Sequence, residues 1–239
     1  MKSFEVIGGK KLSGSIIPQG AKNEALQILS AVLLTEETVT IANIPNILDV
    51  NLLIELLHDM GVQVDQINAH TYNFTAKNVD ENYLASAAFR KKGGKLRGSV
   101  MLAGPMLAKF KKAYIPKPGG DKIGRRRLDT HIIGLQKLGA TFEYDAAISC
   151  SKFTTRQLQG CYMLLDEPSV TGTANILMAA VLAEGITTIY NAACEPYIQQ
   201  LCKMLNRMGS CFMRNDFGNR CSAIQVLSRV LKTTPSNHD

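Results

Sequence analysis

No C-x-x-C pair joins the six cysteines (Cys150, Cys161, Cys194, Cys202, Cys211 and Cys221), and His58, His70, His131 and His238 show no metal-ligand spacing. Neither a disulfide framework nor a protein-built metal site is expected, and each cysteine reads as a small buried hydrophobe. There is no apolar run of about eighteen residues, so no membrane-spanning helix is expected. The opening MKSFEVIGGK lacks the apolar stretch of a secretory leader, and a cytoplasmic location is the expectation. Acidic residues are scarce where basic ones gather. Between Arg90 and Arg127 stand thirteen of the twenty-seven lysines and arginines, with Asp121 as the one acid among them. Aromatics are scarce there too, since only Phe110 and Tyr114 interrupt the stretch. Single-strand binders interleave stacking aromatics with their cations, so the basic segment points away from nucleic acid and toward an anionic small molecule.

What is present is an ordinary soluble composition: 239 residues, 46% hydrophobic and 20% charged, with a formal charge of +7. The pattern in it is a repeat. Shifting the chain by 148 positions superposes ILSAVLLTEETVTIANI, from Ile28, on ILMAAVLAEGITTIYNA, from Ile176. Identities continue from Ile28/Ile176 through Asn43/Asn191, Leu53/Leu201 and Leu57/Leu205 to Gly61/Gly209. A weaker middle copy is centred on THIIGLQKLGATF, which implies a period of about 70 to 78 residues. Each copy reads as an apolar helix (24–34, 100–110, 174–182), a β-branched strand (38–44, 186–190), and an amphipathic helix ending at a glycine cap. A strand then leaves Gly61 and Gly139 (62–64, 140–144), and Thr71–Lys77 alternates as a further strand. Helices packed inward against outer sheets, in threefold pseudo-symmetry, is the expected α/β architecture. After Gly209 no strand alternation is read, and Ala223–Leu231 reads as a short helix.

Three loops at helix starts carry polar residues that the repeated core does not need. PQGAKNEAL places Lys22 and Asn23 where a helix start favours phosphate, although an asparagine there is also a common cap. KLRGSVMLAGP places Arg97 just before an apolar helix. GGDKIGRRRLDT sets arginines suited to bidentate contact with phosphate or carboxylate around Asp121. Surrounding cations depress a carboxyl pKa, whereas a bound anion and desolvation raise it again. Asp121 is thus either a salt-bridged loop anchor or a proton donor to an anionic substrate.

These segments together resemble the UDP-N-acetylglucosamine enolpyruvyl transferase family. The resemblance rests on G-A-K-N at Gly20–Asn23, L-R-G-S at Leu96–Ser99, and P-G-G-D-K-I-G-R-R at Pro118–Arg126 with the L-D-T-H that follows. S-V-T-G-T-A-N at Ser169–Asn175 and N-A-A-C-E-P at Asn191–Pro196 complete it. The family implies an inside-out α/β barrel of repeated units, no cofactor, and the first committed step of peptidoglycan synthesis. Its substrates are phosphoenolpyruvate and UDP-N-acetylglucosamine; neither nucleic acid nor membrane is an expected partner. By resemblance Lys22 contacts phosphoenolpyruvate, with Asn23 beside it at the substrate pocket. Arg97, Arg126, Arg127, Leu128, Asp129 and Thr130 hold the UDP-sugar, and Arg126 also faces the phosphoenolpyruvate phosphate. Ser169 and Val170 lie along the uridine. Asp121 takes the place of a loop cysteine that is the usual general acid and the target of fosfomycin. Glu167 stands where a lysine is common.

The same resemblance divides the chain. Residues 1–20 are expected to belong to another globular domain, 21–209 to form the substrate-loop domain, and 210–239 to be a divergent tail. Full-length members are usually monomeric and carry a second domain that supplies the base and further arginines. The resemblance stops after about Gly209, as a truncated or frame-shifted gene would produce, and a fragment of this kind is expected to self-associate.

Overall fold

The computed structural model describes residues 3–117, 128–217 and 220–227. The sequence predicts three copies of one unit, and three are found. The first contains α1 (Lys22–Ala31), β1 (Val39–Ile41), α2 (Leu48–Asp59), β2 (Gln63–Asn68) and β3 (Thr71–Thr75). After α3 (Ala87–Gly93) and a 3-10 segment (Arg97–Leu102), the second runs α4 (Ala103–Phe110), β4 (Lys112–Pro116), α5 (Asp129–Lys137), β5 (Thr141–Asp145) and β6 (Cys150–Thr154). The third begins with an added strand, β7 (Tyr162–Leu164). It continues through α6 (Val170–Ala180), β8 (Ile186–Tyr190), α7 (Pro196–Arg207), β9 (Cys211–Phe217) and β10 (Arg220–Leu227).

The sheets repeat the same antiparallel order, with the third strand of each unit in the middle: β1-β3-β2, β4-β6-β5 and β8-β10-β9. Strand β7 extends the last sheet by pairing parallel to β8. Among the described residues the three sheets stay separate, and the architecture is three α/β units around a helical centre. That centre follows from hydropathy. Helix α6 is buried from Gly172 to Ala180, and α4 from Ala103 to Ala108, because no polar face is available to turn outward. By contrast α2 and α7 bury one stripe each, Val50/Leu53/Leu56/Leu57 and Ile198/Leu201/Leu205. The sheets close the outside, sending Phe74, Phe153 and Ile189 into the core while most of β2 and β5 remains exposed.

Backbone conformation confirms the register of the repeat. The three cap glycines have left-handed φ values of 92° (Gly61), 96° (Gly139) and 104° (Gly209). Asn43 and Asn191, 148 positions apart, share positive φ as well (58° and 54°), at a turn conformation that asparagine tolerates.

Two expectations are corrected. Residues 223–227 are not helical but belong to β10, where Ile224 and Val226 are buried on either side of half-buried Gln225. This period of two is too short to stand out in the sequence, and pairing with β8 (Ile224 with Ile189, Val226 with Thr187) decides the outcome. The cysteines are not uniformly buried: Cys150 is, whereas Cys194 lies exposed ahead of α7. Residues 3–20 form neither helix nor strand, and Phe4, Leu12 and Ile16 are each more than nine-tenths exposed. Among the described residues no helix is long and apolar enough to cross a membrane.

Candidate functional site

Three helix starts carry the polar residues picked out by sequence. The first is α1. Its N-cap position is Ala21, which offers no side-chain cap, so Asn23 is not the cap residue but an exposed side chain in the first turn. Lys22 is half exposed, and its Nζ lies 3.0 Å from Asp49 Oδ2 at the start of α2. An exposed pair of this kind is weak, which leaves the ammonium available to exchange partners with an anion.

The second group is Arg97 and the start of α5. Arg97 opens the 3-10 segment that leads into α4 and is partly buried. Leu128, Asp129 and Thr130, also partly buried, lead into His131, which is only 2% exposed. Burial, with a smaller contribution from the Arg97 charge, pushes the His131 pKa down from 6.5 to about 4, so the imidazole is neutral at ordinary pH. The third group opens α6. Ser169 is the N-cap, its Oγ accepting from the Gly172 N–H at 3.3 Å, and Val170 follows, partly buried.

The structure brings the starts of α5 and α6 together, with His131 Nε2 3.1 Å from Thr171 Oγ1. A cavity of about 480 Å³ is lined by Asp129, Thr130, Ile132, Ile133, Asp166 and Glu167. Thr130 Oγ1 donates across it to Glu167 Oε1 at 3.3 Å. Lys22, Asn23, Arg97, Leu128, Ser169 and Val170 do not line this cavity. Asp121, Arg126 and Arg127 lie outside the described residues. Chemically, the cavity offers carboxylate acceptors and a hydroxyl at one wall, suited to hydroxyl or N–H donors, while the Arg97 charge is close enough to act on His131 behind it.

Sequence reasoning assigned no role to three residues that the geometry singles out. Asp49 pairs with Lys22. His131 and Asn175 stand within the two motifs L-D-T-H and S-V-T-G-T-A-N, and their side chains meet in the core, Asn175 Nδ2 to His131 Nδ1 at 3.0 Å. The available signal was an asparagine inside the otherwise apolar run ANILMAAVL, a position that demands hydrogen-bond partners.

Residues 6–216 match the EPSP synthase (3-phosphoshikimate 1-carboxyvinyltransferase) family. The chain belongs to that family. Its relatives include proteins named UDP-N-acetylglucosamine 1-carboxyvinyltransferase from Bacteroides thetaiotaomicron and Porphyromonas gingivalis. They are 66% and 60% identical over 210 residues, covering 88% of this chain and 48% of each relative. A Treponema pallidum protein of the same name is 43% identical over 234 residues, 98% of this chain and 53% of that protein, so this alignment extends past Gly209. The chain spans about half the length of the curated relatives it matches. Among solved structures, the enolpyruvyl transferase NikO from Streptomyces tendae is similar with a TM-score of 0.76 at 17% identity, over 95% of this chain and 51% of that one. An EPSP synthase from Acinetobacter baumannii follows at 0.65 and 17%, over 92% and 48%. At such identities the two structures establish the shared fold.

Proposed function

We propose that this chain provides the substrate loops of a UDP-N-acetylglucosamine 1-carboxyvinyltransferase. The observation that carries the reading is the 66% identity to a relative of that name, over 210 residues. In this reading Asp121 gives a proton to the methylene carbon of phosphoenolpyruvate as the sugar 3-hydroxyl oxygen bonds to C2. The hydroxyl proton passes to a base that the resemblance assigns to a second globular domain. The C2–O bond to phosphate then breaks, and loss of a proton from the new methyl group restores the enol double bond. Lys22 contacts phosphoenolpyruvate, with Asn23 beside it, and Arg126 faces its phosphate. Arg97, Arg126, Arg127, Leu128, Asp129 and Thr130 hold the UDP-sugar, and Ser169 and Val170 line the uridine. The reaction calls for no metal or redox cofactor. It belongs to the cytoplasmic stage of cell-wall synthesis, on which cell shape and division depend.

A second reading, in which the chain alone binds the UDP-sugar without turnover, is favoured by its coverage of 48% of that relative. The exposed apolar side chains of residues 3–20 support self-association of such a chain or docking of that segment on another domain.

Phosphate release from UDP-N-acetylglucosamine and phosphoenolpyruvate separates the readings. Turnover by the chain that falls by about 100-fold or more in Asp121→Asn supports the transferase with Asp121 as its acid. Saturable sugar-nucleotide binding without release supports the second reading. Absence of both rejects the two together. Under the first reading fosfomycin leaves activity intact, since a carboxylate is not an alkylated thiolate, and Asp121→Cys makes the chain sensitive. Inactivation of the unaltered chain by fosfomycin would contradict this assignment.

A further inference from the structure

The deepest polar cluster among the described residues is not in the cavity but behind it. Asn175, fully buried in α6, uses its whole amide. Its Oδ1 accepts from the Gly104 N–H at 2.6 Å, and its Nδ2 donates to the Val100 carbonyl at 2.9 Å and to His131 Nδ1 at 3.0 Å. The Gly104 bond fixes which end of the amide is oxygen. That in turn makes His131 Nδ1 an acceptor and places the imidazole proton on Nε2, which donates to Thr171 Oγ1 at 3.1 Å.

Three members of this circuit, Val100, His131 and Thr171, lie within about one helical turn of a proposed substrate contact. Val100 is three positions from Arg97, His131 follows Asp129 and Thr130, and Thr171 follows Ser169 and Val170. The backbone is tailored to the same contact: a Cβ at Gly104 would collide with the Asn175 carbonyl, and one at Gly172 would come within 2.7 Å of Thr130 Cγ2. An asparagine inside an apolar helix is a costly choice for mere packing, because a buried amide needs all its partners placed.

We propose that Asn175 and His131 are positioning residues. Their hydrogen-bond circuit fixes the spacing between the starts of the 3-10 segment, α5 and α6, and thereby holds Arg97, Asp129, Thr130, Ser169 and Val170 in one geometry for the sugar nucleotide. The inference rests on the proposed function for its ligand, but not for its mechanical content. Because burial keeps His131 neutral to well below pH 6, the circuit stays in the same protonation state at ordinary pH.

Two variants test it. Asn175→Asp keeps the acceptor for Gly104 but presents oxygen to the Val100 carbonyl. His131→Asn is the milder change: its side-chain oxygen can still accept from Asn175, while the link to Thr171 is lost. Affinity for UDP-N-acetylglucosamine should fall roughly tenfold or more in Asn175→Asp and less in His131→Asn, at a temperature where both are folded. Affinity for UMP, whose uridine meets Ser169 and Val170 but not the sugar contacts, should fall by a smaller factor; a general loss of stability would weaken binding of the two ligands alike. Equal affinity of Asn175→Asp and the unaltered chain for the sugar nucleotide overturns the proposal.

If the unaltered chain binds neither ligand, the functional reading fails, and hydrogen exchange without ligand decides the inference. Faster exchange confined to residues 97–102, 129–133 and 170–174 together supports a circuit that couples them. Unchanged exchange there, or acceleration spread equally over β2 and β3, overturns it. If Asn175→Asp does not fold, His131→Asn decides in its place: faster exchange limited to 129–133 and 170–174 supports the circuit, and unchanged exchange in both segments overturns it.

Discussion

Gly104→Ala is expected to lower the unfolding free energy by roughly 3 to 5 kcal/mol, a large share of the stability of a domain. The added methyl group meets the Asn175 carbonyl and side-chain oxygen, neither of which is the far end of a flexible side chain. Relief requires α4 and α6 to separate. Separation breaks the 2.6 Å bond from the Gly104 N–H and leaves a buried amide oxygen without its donor. Gly8→Ala is the matched control, because no atom lies within 4 Å of a Cβ built there. Urea denaturation distinguishes the two: the midpoint should drop sharply for Gly104→Ala, with its slope retained, and hardly move for Gly8→Ala. An unchanged midpoint for Gly104→Ala would mean that α4 and α6 do not approach as described.

The second large effect is a loss of stability on mild acidification. The unfolded chain takes up a proton at His131 near its ordinary pKa of 6.5, whereas the folded chain does so only near 4. Between those values the unfolded state binds more protons, so stability falls as pH falls. The contribution is fully present above about pH 7, is lost progressively between 6.5 and 4, and levels off below; it amounts to roughly 3 kcal/mol. The physical cause is chiefly burial, with the Arg97 cation adding to it. Asp59, whose pKa is lowered first by its hydrogen bond with Lys92, loses its share at still lower pH and does not blur this window. Unfolding free energies at several pH values should show the slope in the unaltered chain and its disappearance in His131→Asn. An identical slope in both would assign the acid sensitivity to other groups.

Much of the fold was legible because one pattern was written three times. The identities from Ile28/Ile176 to Gly61/Gly209 fix a common register, and the backbone repeats it down to left-handed Asn43 and Asn191. The helix at 196–207 was legible from its apolar stripe, and the caps from Gly61, Gly139 and Gly209. Strand β10 was not, because two inward residues, Ile224 and Val226, make a signal too short to oppose a helical reading until β8 lies beside them. The site was legible in part. Arg97 stands out as a polar residue before an apolar helix, where the core does not ask for it, whereas the roles expected of Thr130 and Ser169 came only with the family resemblance. The Asn175–His131 circuit was not, since it joins residues 44 positions apart whose relation depends on how α5 crosses α6. The Lys22–Asp49 pair escaped for the same reason, with α1 and α2 separated by β1.

The site is tested most directly by titrating the chain with UDP-N-acetylglucosamine, with Arg97→Ala alongside. Saturable binding that weakens by roughly tenfold or more on loss of the guanidinium is the predicted result, in keeping with a charge-assisted contact to the ligand. Equal affinity in both proteins, or no binding by the unaltered chain, would contradict the placement of the sugar nucleotide across these helix starts.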